Sequence, residues 1–350
     1  MLYIHIPFCD SKCSYCSFNS YVDKFHLKQR YMEALLHQLD FELKRFNTQK
    51  KSIESVFIGG GTPSTVDPSL YQPLFEKVFP YLKEGLEITS EANPNSATKE
   101  WLQGMKDLGV NRISFGTQSF DEEKLKLLNR AHNSKQAKEA VITAHQLGFK
   151  NISLDLIYAT KGDTKELLKN DIEQAFKLPI NHLSAYALTI EEGTAFEHKP
   201  QMSQEDLDLT SWIFDMISKK GFKQYEISNF GTYQSVHNFG YWKYKDYIGL
   251  GSGAVGKKDN ERFYPQTDID AYIENPIQIR HEHLDEDDIK IEKIFLGLRS
   301  NVGIKKDLLN AHELKNALIL LNENKLFEID DTFYNYNYLL SDEIALFLTS

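Results

Sequence analysis

Cysteine is nearly absent from this 350-residue chain: it occurs at Cys9, Cys13 and Cys16, and nowhere in the 334 positions that follow. Three thiols within eight positions cannot build a disulfide framework, and an odd, tightly spaced set reads as metal or redox chemistry. Long apolar runs are missing too. No stretch approaches the roughly 18 residues of a membrane-spanning helix, and MLYIHIPFCD has neither a basic n-region nor a long h-region. A cytoplasmic chain with no transmembrane segment is expected. Positive charge is in deficit, with 40 Lys and Arg against 50 Asp and Glu, a net −10. Such a surface has no global attraction for a phosphate backbone or an anionic leaflet, which excludes nucleic acid as a main partner. What remains is 41% hydrophobic, 12% aromatic and 26% charged, the composition of an ordinary folded protein. The length suits a large catalytic-size unit with a smaller attachment.

Apolar periodicity alternates between strand and helix. Leu2 to Ile6 reads as a strand running into the cysteine loop, and Tyr31, Leu35, Leu39 and Leu43 mark a long helix. Further strands are expected at Ser55 to Ile58, Leu86 to Glu91, Arg112 to Phe115, Ile152 to Tyr158 and His182 to Leu188. Helices between them fall at Pro68 to Leu82, Ala97 to Leu108, Asp121 to Leu128, Ser134 to Leu147 and Thr164 to Phe176, with Gly109 and Gly148 as stops. Six β/α units demand a parallel sheet and fall two short of an eightfold barrel, so the expected fold is α/β, an incomplete (β/α)6 TIM-type barrel over residues 1–195.

Past Thr189 the alternation gives way to a helix, Gln204 to Lys219, and short segments rich in Gly, Tyr and Asn. Residues 196–284 are therefore expected to form a region of their own. From 285 to 350 a helix to Leu298, a short one near Leu308, a third from Ala311 to Asn324 and strands at Leu326 to Ile329 and Phe333 to Leu339 suggest a small winged-helix-like domain.

Cys-x3-Cys-x2-Cys supplies three thiolates from one loop, enough for three irons of a cubane with the fourth left without a protein ligand. The alternative is structural zinc with His5 as fourth ligand, although such sites normally draw a second ligand pair from a separate segment. Active sites of β/α barrels collect at the C-terminal ends of the strands. There the sequence delivers the cysteines, Gly59-Gly60-Gly61-Thr62, Glu91, Gln118 and Asp155, with Arg130 after the following helix. Carboxylates suit hydroxyls and an ammonium, and Arg130 suits a carboxylate.

HIPFC with the cysteine spacing, GGGTPS, SEANP, SFGTQSF, LNRAHN and LDLIY together resemble the coproporphyrinogen III oxidase-like branch of the radical S-adenosylmethionine (SAM) superfamily, over nearly the whole chain. The resemblance implies a radical SAM barrel with a [4Fe-4S] cluster on Cys9, Cys13 and Cys16. It places SAM contacts at Tyr3, Tyr15, Gly60, Gly61, Thr62, Glu91, Gln118, Arg130 and Asp155. Two departures set the chain apart from the oxidases: Phe18 stands where their fourth cysteine would be, and their N-terminal extension has no counterpart ahead of Cys9. His237-Asn238-Phe239-Gly240-Tyr241-Trp242 fits the HNxxYW pattern that the haem chaperones of this branch carry. A haem site at His237, Asn238, Tyr241 and Trp242 follows, with His237 as axial ligand and two aromatic planes beside it. The implied function is haem chaperoning: a protein that holds the cluster, SAM and haem, passes haem to apo-haemoproteins such as respiratory cytochromes, and takes electrons from a flavodoxin or ferredoxin. The alternatives are two enzymes, an oxygen-independent coproporphyrinogen III oxidase and a radical SAM methyltransferase or cyclopropanase. No catalytic residue is assigned. His281 and His283 read as surface residues, and the glycine pattern of Tyr247 to Gly256 lies outside any βαβ unit.

Overall fold

The computed structural model describes residues 1–204 and 206–350. Its central feature is a nine-stranded sheet. Strands β1 (Leu2–Ile6), β2 (Ile53–Gly60), β3 (Leu82–Ala92), β4 (Arg112–Gln118), β5 (Asn151–Tyr158) and β6 (His182–Ala187) lie side by side in parallel. Helices α1 (Lys28–Arg45), α2 (Pro68–Val78), α3 (Lys99–Asp107), α4 (Glu122–Leu127), α5 (Ser134–Gln146) and α6 (Lys165–Ala175) fill the connections. Five of these six helix starts have a local side-chain cause. Asp67, Thr98, Asp121 and Thr164 accept backbone N–H bonds as caps, and Asn133 forms a reciprocal capping box with Gln136. Gly109 (φ +100°) and Gly148 (φ +88°) follow the ends of α3 and α5, in a backbone region that other residues enter only at a cost.

The strands alternate between two chemistries. Leu2, Ile4, Ile6, Val56, Ile58, Ile113, Phe115, Leu154 and Leu183 join Leu35, Leu39, Leu74, Leu102, Val141 and Ile172 of the helices in one buried cluster. Tyr3, His5, Ser55, Glu87, Glu91, Arg112, Asp155, His182 and Ser184 take the other face, by the two-residue period of a strand. The barrel interior is therefore polar. Arg112, 2% exposed, reaches Thr89 Oγ1 and His182 Nδ1 at 3.4 Å, and His182 also bonds Ser153 Oγ (2.6 Å) and the Tyr225 hydroxyl (2.7 Å).

Residues 196–284, expected as a region apart, complete this sheet. Helix α7 (Leu207–Lys219) is shorter than the expected Gln204 to Lys219, of which Glu205 lies outside the described residues. Strands β7 (Lys223–Gln224) and β8 (Asn229–Gly231) extend the β6 edge in antiparallel fashion. Helix α8 (Val236–Trp242) precedes β9 (Ile248–Leu250), which pairs in parallel with the outer edge of β1. Ile213, Phe230, Ile248, Ile269 and Tyr272 enter the same apolar cluster as the barrel, so this stretch has no separate core of that size. The sheet order, β7-β8-β6-β5-β4-β3-β2-β1-β9, is that of an open barrel. A small antiparallel sheet, β10 (Gly256–Lys258), β11 (Glu261–Pro265) and β12 (Ile279–His283), follows, with α9 (Ile269–Glu274) between the last two.

The C-terminal segment has its own core, built from Ile294, Leu298, Ala317, Leu320, Leu326, Phe333, Ile344 and Leu348. It contains α10 (Glu286–Leu298), β13 (Ile304–Lys305), α11 (Ala311–Asn322), β14 (Leu326–Ile329), β15 (Thr332–Asn335) and α12 (Ser341–Thr349). The second strand is shorter than expected, ending at Asn335, and α12 was not anticipated. Among the described residues no helix is long and apolar enough to cross a membrane.

Candidate functional site

A cavity of about 430 Å³ opens at the C-terminal ends of the strands. Its wall contains Cys9, Cys13 and Cys16, together with Tyr15, Gly60, Gly61, Thr62, Glu91, Gln118, Arg130 and Asp155. Eight of the nine SAM contacts expected from sequence are thus gathered around one space beside the three thiols.

The cysteine loop is pinned from several sides. Lys12 Nζ donates to Phe18 O (2.6 Å) and Ser20 Oγ (2.7 Å), Ser14 N donates to Leu128 O (3.1 Å), and Asn129 Nδ2 donates to Lys12 O (2.8 Å). Burial raises the Cys9 and Cys16 thiols above the usual range, partly opposed by hydrogen bonds that include Thr62 to Cys9. A bound metal centre would be needed to hold them as thiolates. His5 is unavailable as a zinc ligand, because its Nδ1 meets the Tyr3 hydroxyl at 3.0 Å and its Nε2 meets Asn19 O at 2.8 Å. Three thiols on one cavity wall, with open space before them, fit a cluster that needs only three protein ligands.

The glycine run is required sterically. A Cβ on Gly59 would stand 2.8 Å from the Phe57 ring and 2.9 Å from Glu91 Oε2; on Gly60 it would stand 2.5 Å from the His5 ring; on Gly61, 3.0 Å from Cys9 Sγ. Gly60 also has φ +112°. The bare backbone can therefore lie against both the cysteine loop and a ligand. Gly60 N donates to Glu91 Oε2 at 3.1 Å, and Thr62 Oγ1 donates to Cys9 Sγ at 3.4 Å.

Burial, reinforced by Asp155, pushes the Glu91 carboxyl up to about 7, and burial raises Asp155 as well. Two carboxylates facing one cavity attract a cationic or hydroxyl-rich ligand. Across from them, Arg130 donates to Cys13 Sγ (3.1 Å), Asn93 Oδ1 (2.6 Å) and Gly116 O (2.6 Å). Its buried Nε has no hydrogen-bond partner within the protein, a donor left over for a bound group. Gly116 is matched to this guanidinium, since a Cβ there would lie 3.1 Å from Nη2. Acidic groups on one side and a guanidinium on the other suit a zwitterionic amino acid moiety with a ribose.

Sequence reasoning missed Asn93, Ser114 and Tyr186, all in the cavity wall. Their signal was the two-residue period. Asn93 continues the line of Glu91, Ser114 precedes Gly116 on β4, and Tyr186 follows Ser184 on β6.

Five expected residues lie elsewhere. Tyr3, one strand step below His5, faces the barrel interior and does not line the cavity. The HNxxYW segment sits at the opposite, N-terminal end of the strands. The backbone N–H groups of Val236 and His237 at the start of α8 donate to Glu87 at 3.0 Å, and Tyr233 OH adds a bond of 2.8 Å. Glu87 precedes Glu91 by four strand residues, about 13 Å at 3.3 Å per residue. His237 is fully buried, with Nδ1 against Ser55 Oγ (2.9 Å) and Nε2 against the Tyr241 hydroxyl (3.0 Å). Burial holds its pKa down to about 3. Both ring nitrogens of His237, the expected axial haem ligand, are engaged within the ligand-free protein, and no face of the ring meets solvent. Asn238 and Trp242 are half-buried on the same short helix.

An open parallel barrel with a three-cysteine loop over its C-terminal rim is a radical SAM fold, and residues 3–175 match the family described as Radical SAM superfamily. In shape the chain resembles coproporphyrinogen III oxidase (HemN) from Escherichia coli, with a TM-score of 0.83 covering 99% of this chain and 89% of that one, at 20% identity. That likeness is one of fold. Heme chaperone HemW of Haemophilus influenzae is 38% identical over 73% of this chain and 70% of its own length, and Heme chaperone HemW of Bacillus subtilis is 33% identical over 87% and 84%. The chain belongs to the HemW family.

Proposed function

We propose that this protein is a cytoplasmic haem chaperone that carries a [4Fe-4S] cluster on Cys9, Cys13 and Cys16, binds SAM in the cavity beside it, and passes haem to apo-haemoproteins such as respiratory cytochromes. The observation that carries the cofactor reading is the gathering of eight expected contacts around one cavity walled by the three thiols. When bound, the cluster supplies one electron to SAM, drawn from a donor such as flavodoxin or ferredoxin. The protein's own residues bind and orient. Arg130 takes the ligand carboxylate, Glu91 and Asp155 take its ammonium and hydroxyl groups, and the Gly60–Gly61 backbone lies against it.

The haem reading is supported by the names of the relatives and by Phe18. This ring is 63% exposed and lines the cavity where a fourth cysteine would mark an oxidase. The HNxxYW pattern at His237, Asn238, Tyr241 and Trp242 supports the haem reading as well. Anaerobically reconstituted protein is incubated with haem and, separately, with coproporphyrinogen III, SAM and a reductant. Bound haem without protoporphyrinogen is the expected result; steady conversion of coproporphyrinogen III would replace the chaperone reading with the oxidase.

A further inference from the structure

Two residues past Arg130 stands His132, an imidazole that is 5% exposed and lies outside the cavity wall. We infer that His132 is a positioning residue for the ligand site, holding Thr117 O so that the adjacent Gln118 keeps the backbone conformation that presents its side chain to the cavity. The inference rests on the reading of the cavity as a SAM site.

Gln118 needs such a hold. Its φ is +67°, a left-handed conformation that residues other than glycine keep only where their surroundings fix them. Ser119 N donates to Thr117 O at 2.9 Å, which closes a γ-turn of the rare, strained hand around Gln118. The pairing of β4 with β5 slips at the same place: Phe115 stands opposite Leu154 and Gln118 opposite Leu156. Such a bulge re-aims the side chains beside it. Gly116 and Gln118 line the cavity, whereas Thr117 between them is buried outside its wall. A Cβ on Gly116 would stand 3.1 Å from Arg130 Nη2 and 3.2 Å from Gln118 Nε2, so the guanidinium and the amide flank one point in the wall.

Three side chains from outside β4 clamp the turn. Arg130 Nη2 donates to Gly116 O (2.6 Å) and His132 Nε2 to Thr117 O (3.0 Å), while buried Asp171 accepts from Ser119 Oγ (2.6 Å) and Phe120 N (2.7 Å). Thr117 O belongs to the peptide plane whose rotation is the φ of Gln118, so the imidazole acts on the strained torsion itself. Burial, with Arg130 nearby, holds the His132 pKa down to about 3, and the carbonyl at Nε2 places the one proton of the neutral ring there. Its Nδ1 is buried with no hydrogen-bond partner. An apolar ring of similar size would fill the space without burying an unpaired nitrogen, so what the imidazole contributes is the N–H to Thr117. Without that donor the Thr117 peptide can rotate, Gln118 relaxes toward the strand conformation, and its amide leaves the wall.

The test uses the full-length, cluster-loaded protein, with SAM affinity by equilibrium dialysis and iron content measured on the same preparation. His132→Phe, which keeps a ring and removes the donor, should weaken SAM binding roughly 3- to 30-fold, the range of indirect couplings between packed residues. Iron content should match the parent. His132→Gln, whose amide N–H has similar reach, should recover most of the affinity. In a Gln118→Ala background, itself weakened, His132→Phe should add less than about twofold, because the contact it positions is already gone. A role in overall stability would weaken both backgrounds alike. Should His132→Phe fail to fold, His132→Leu carries the same expectation. Folded variants with parental SAM affinity overturn the inference, as does equal weakening with and without the Gln118 side chain. Failure of the parent itself to bind SAM would instead overturn the reading of the cavity.

Discussion

Arg130 donates from Nη1 to the Sγ of Cys13 at 3.1 Å, joining residues 117 positions apart. The same guanidinium holds Asn93 and Gly116 through Nη2. One cation thus touches the cysteine loop and the ends of β3 and β4, so cluster binding and ligand binding share a part.

Arg130→Ala should therefore damage both. Loss of a charge-assisted hydrogen bond costs about 1.5–3 kcal/mol, a tenfold or greater drop in SAM affinity. Cluster retention should fall as well, because Cys13 loses its neighbouring cation. SAM dialysis and iron analysis on the same preparation test this; unchanged values for both would exclude Arg130 from the site.

Each of Cys9→Ala, Cys13→Ala and Cys16→Ala should remove most of the iron and the visible absorption of the anaerobically reconstituted protein. Stoichiometric zinc in place of iron in the parent would reject the cluster.

Glu91 makes the cavity sensitive to pH. Its carboxyl titrates near 7 because it is buried beside Asp155. In the unfolded chain a glutamate releases its proton near 4.3. Between those values the folded protein holds the extra proton, so Glu91 makes apo-protein stability fall as pH rises from about 4.3 to 7, with the full penalty above. Glu91→Gln should raise the thermal midpoint of the apo-protein at pH 8 and leave it nearly unchanged at pH 4. SAM binding, which uses the ionised carboxylate, should strengthen from pH 6 to 8 in the parent and lose most of that slope in Glu91→Gln. A parental pH profile in the variant would show that another group titrates.

Gly60→Ala should destabilise the apo-protein by at least about 1–3 kcal/mol, since the residue sits at φ +112° and the new methyl would meet the His5 ring. Urea denaturation measures this directly. A neutral substitution would mean that the His5 ring moves aside freely.

The rim of the site was legible because its groups sit in short contiguous stretches at strand ends, where topology alone decides their meeting. Glu91, Gln118 and Asp155 needed only the strand order to be brought together. The placement of α8 was not legible. Ser55, the partner of His237, is 182 positions away, and nothing in HNFGYW tells which end of the barrel the helix will cover. Tyr3, like His5 two residues nearer the rim, stays in the interior behind the cavity wall, a depth along the strand that the sequence does not display. The polar interior was readable in the alternation of LYIHI and ITSEA, but continuous apolar runs such as VFI hid it on β2. The last helix, SDEIALFLT, is too short for helical periodicity to distinguish it from an apolar tail.

The pairing of β1 with β9 has a consequence for biosynthesis. The strand that leads into the cysteine loop acquires its outer neighbour only when residues 248–250 arrive, and Asn19 reaches Ser252 and Thr267 over similar spans. At about 5–20 residues per second, that partner leaves the ribosome roughly 10–50 s after β1. Throughout this interval the three thiols belong to an unfinished edge, open to oxidation and to stray metal. An iron–sulfur centre on these thiols would therefore find its loop fully braced only after residues 248–267 have emerged.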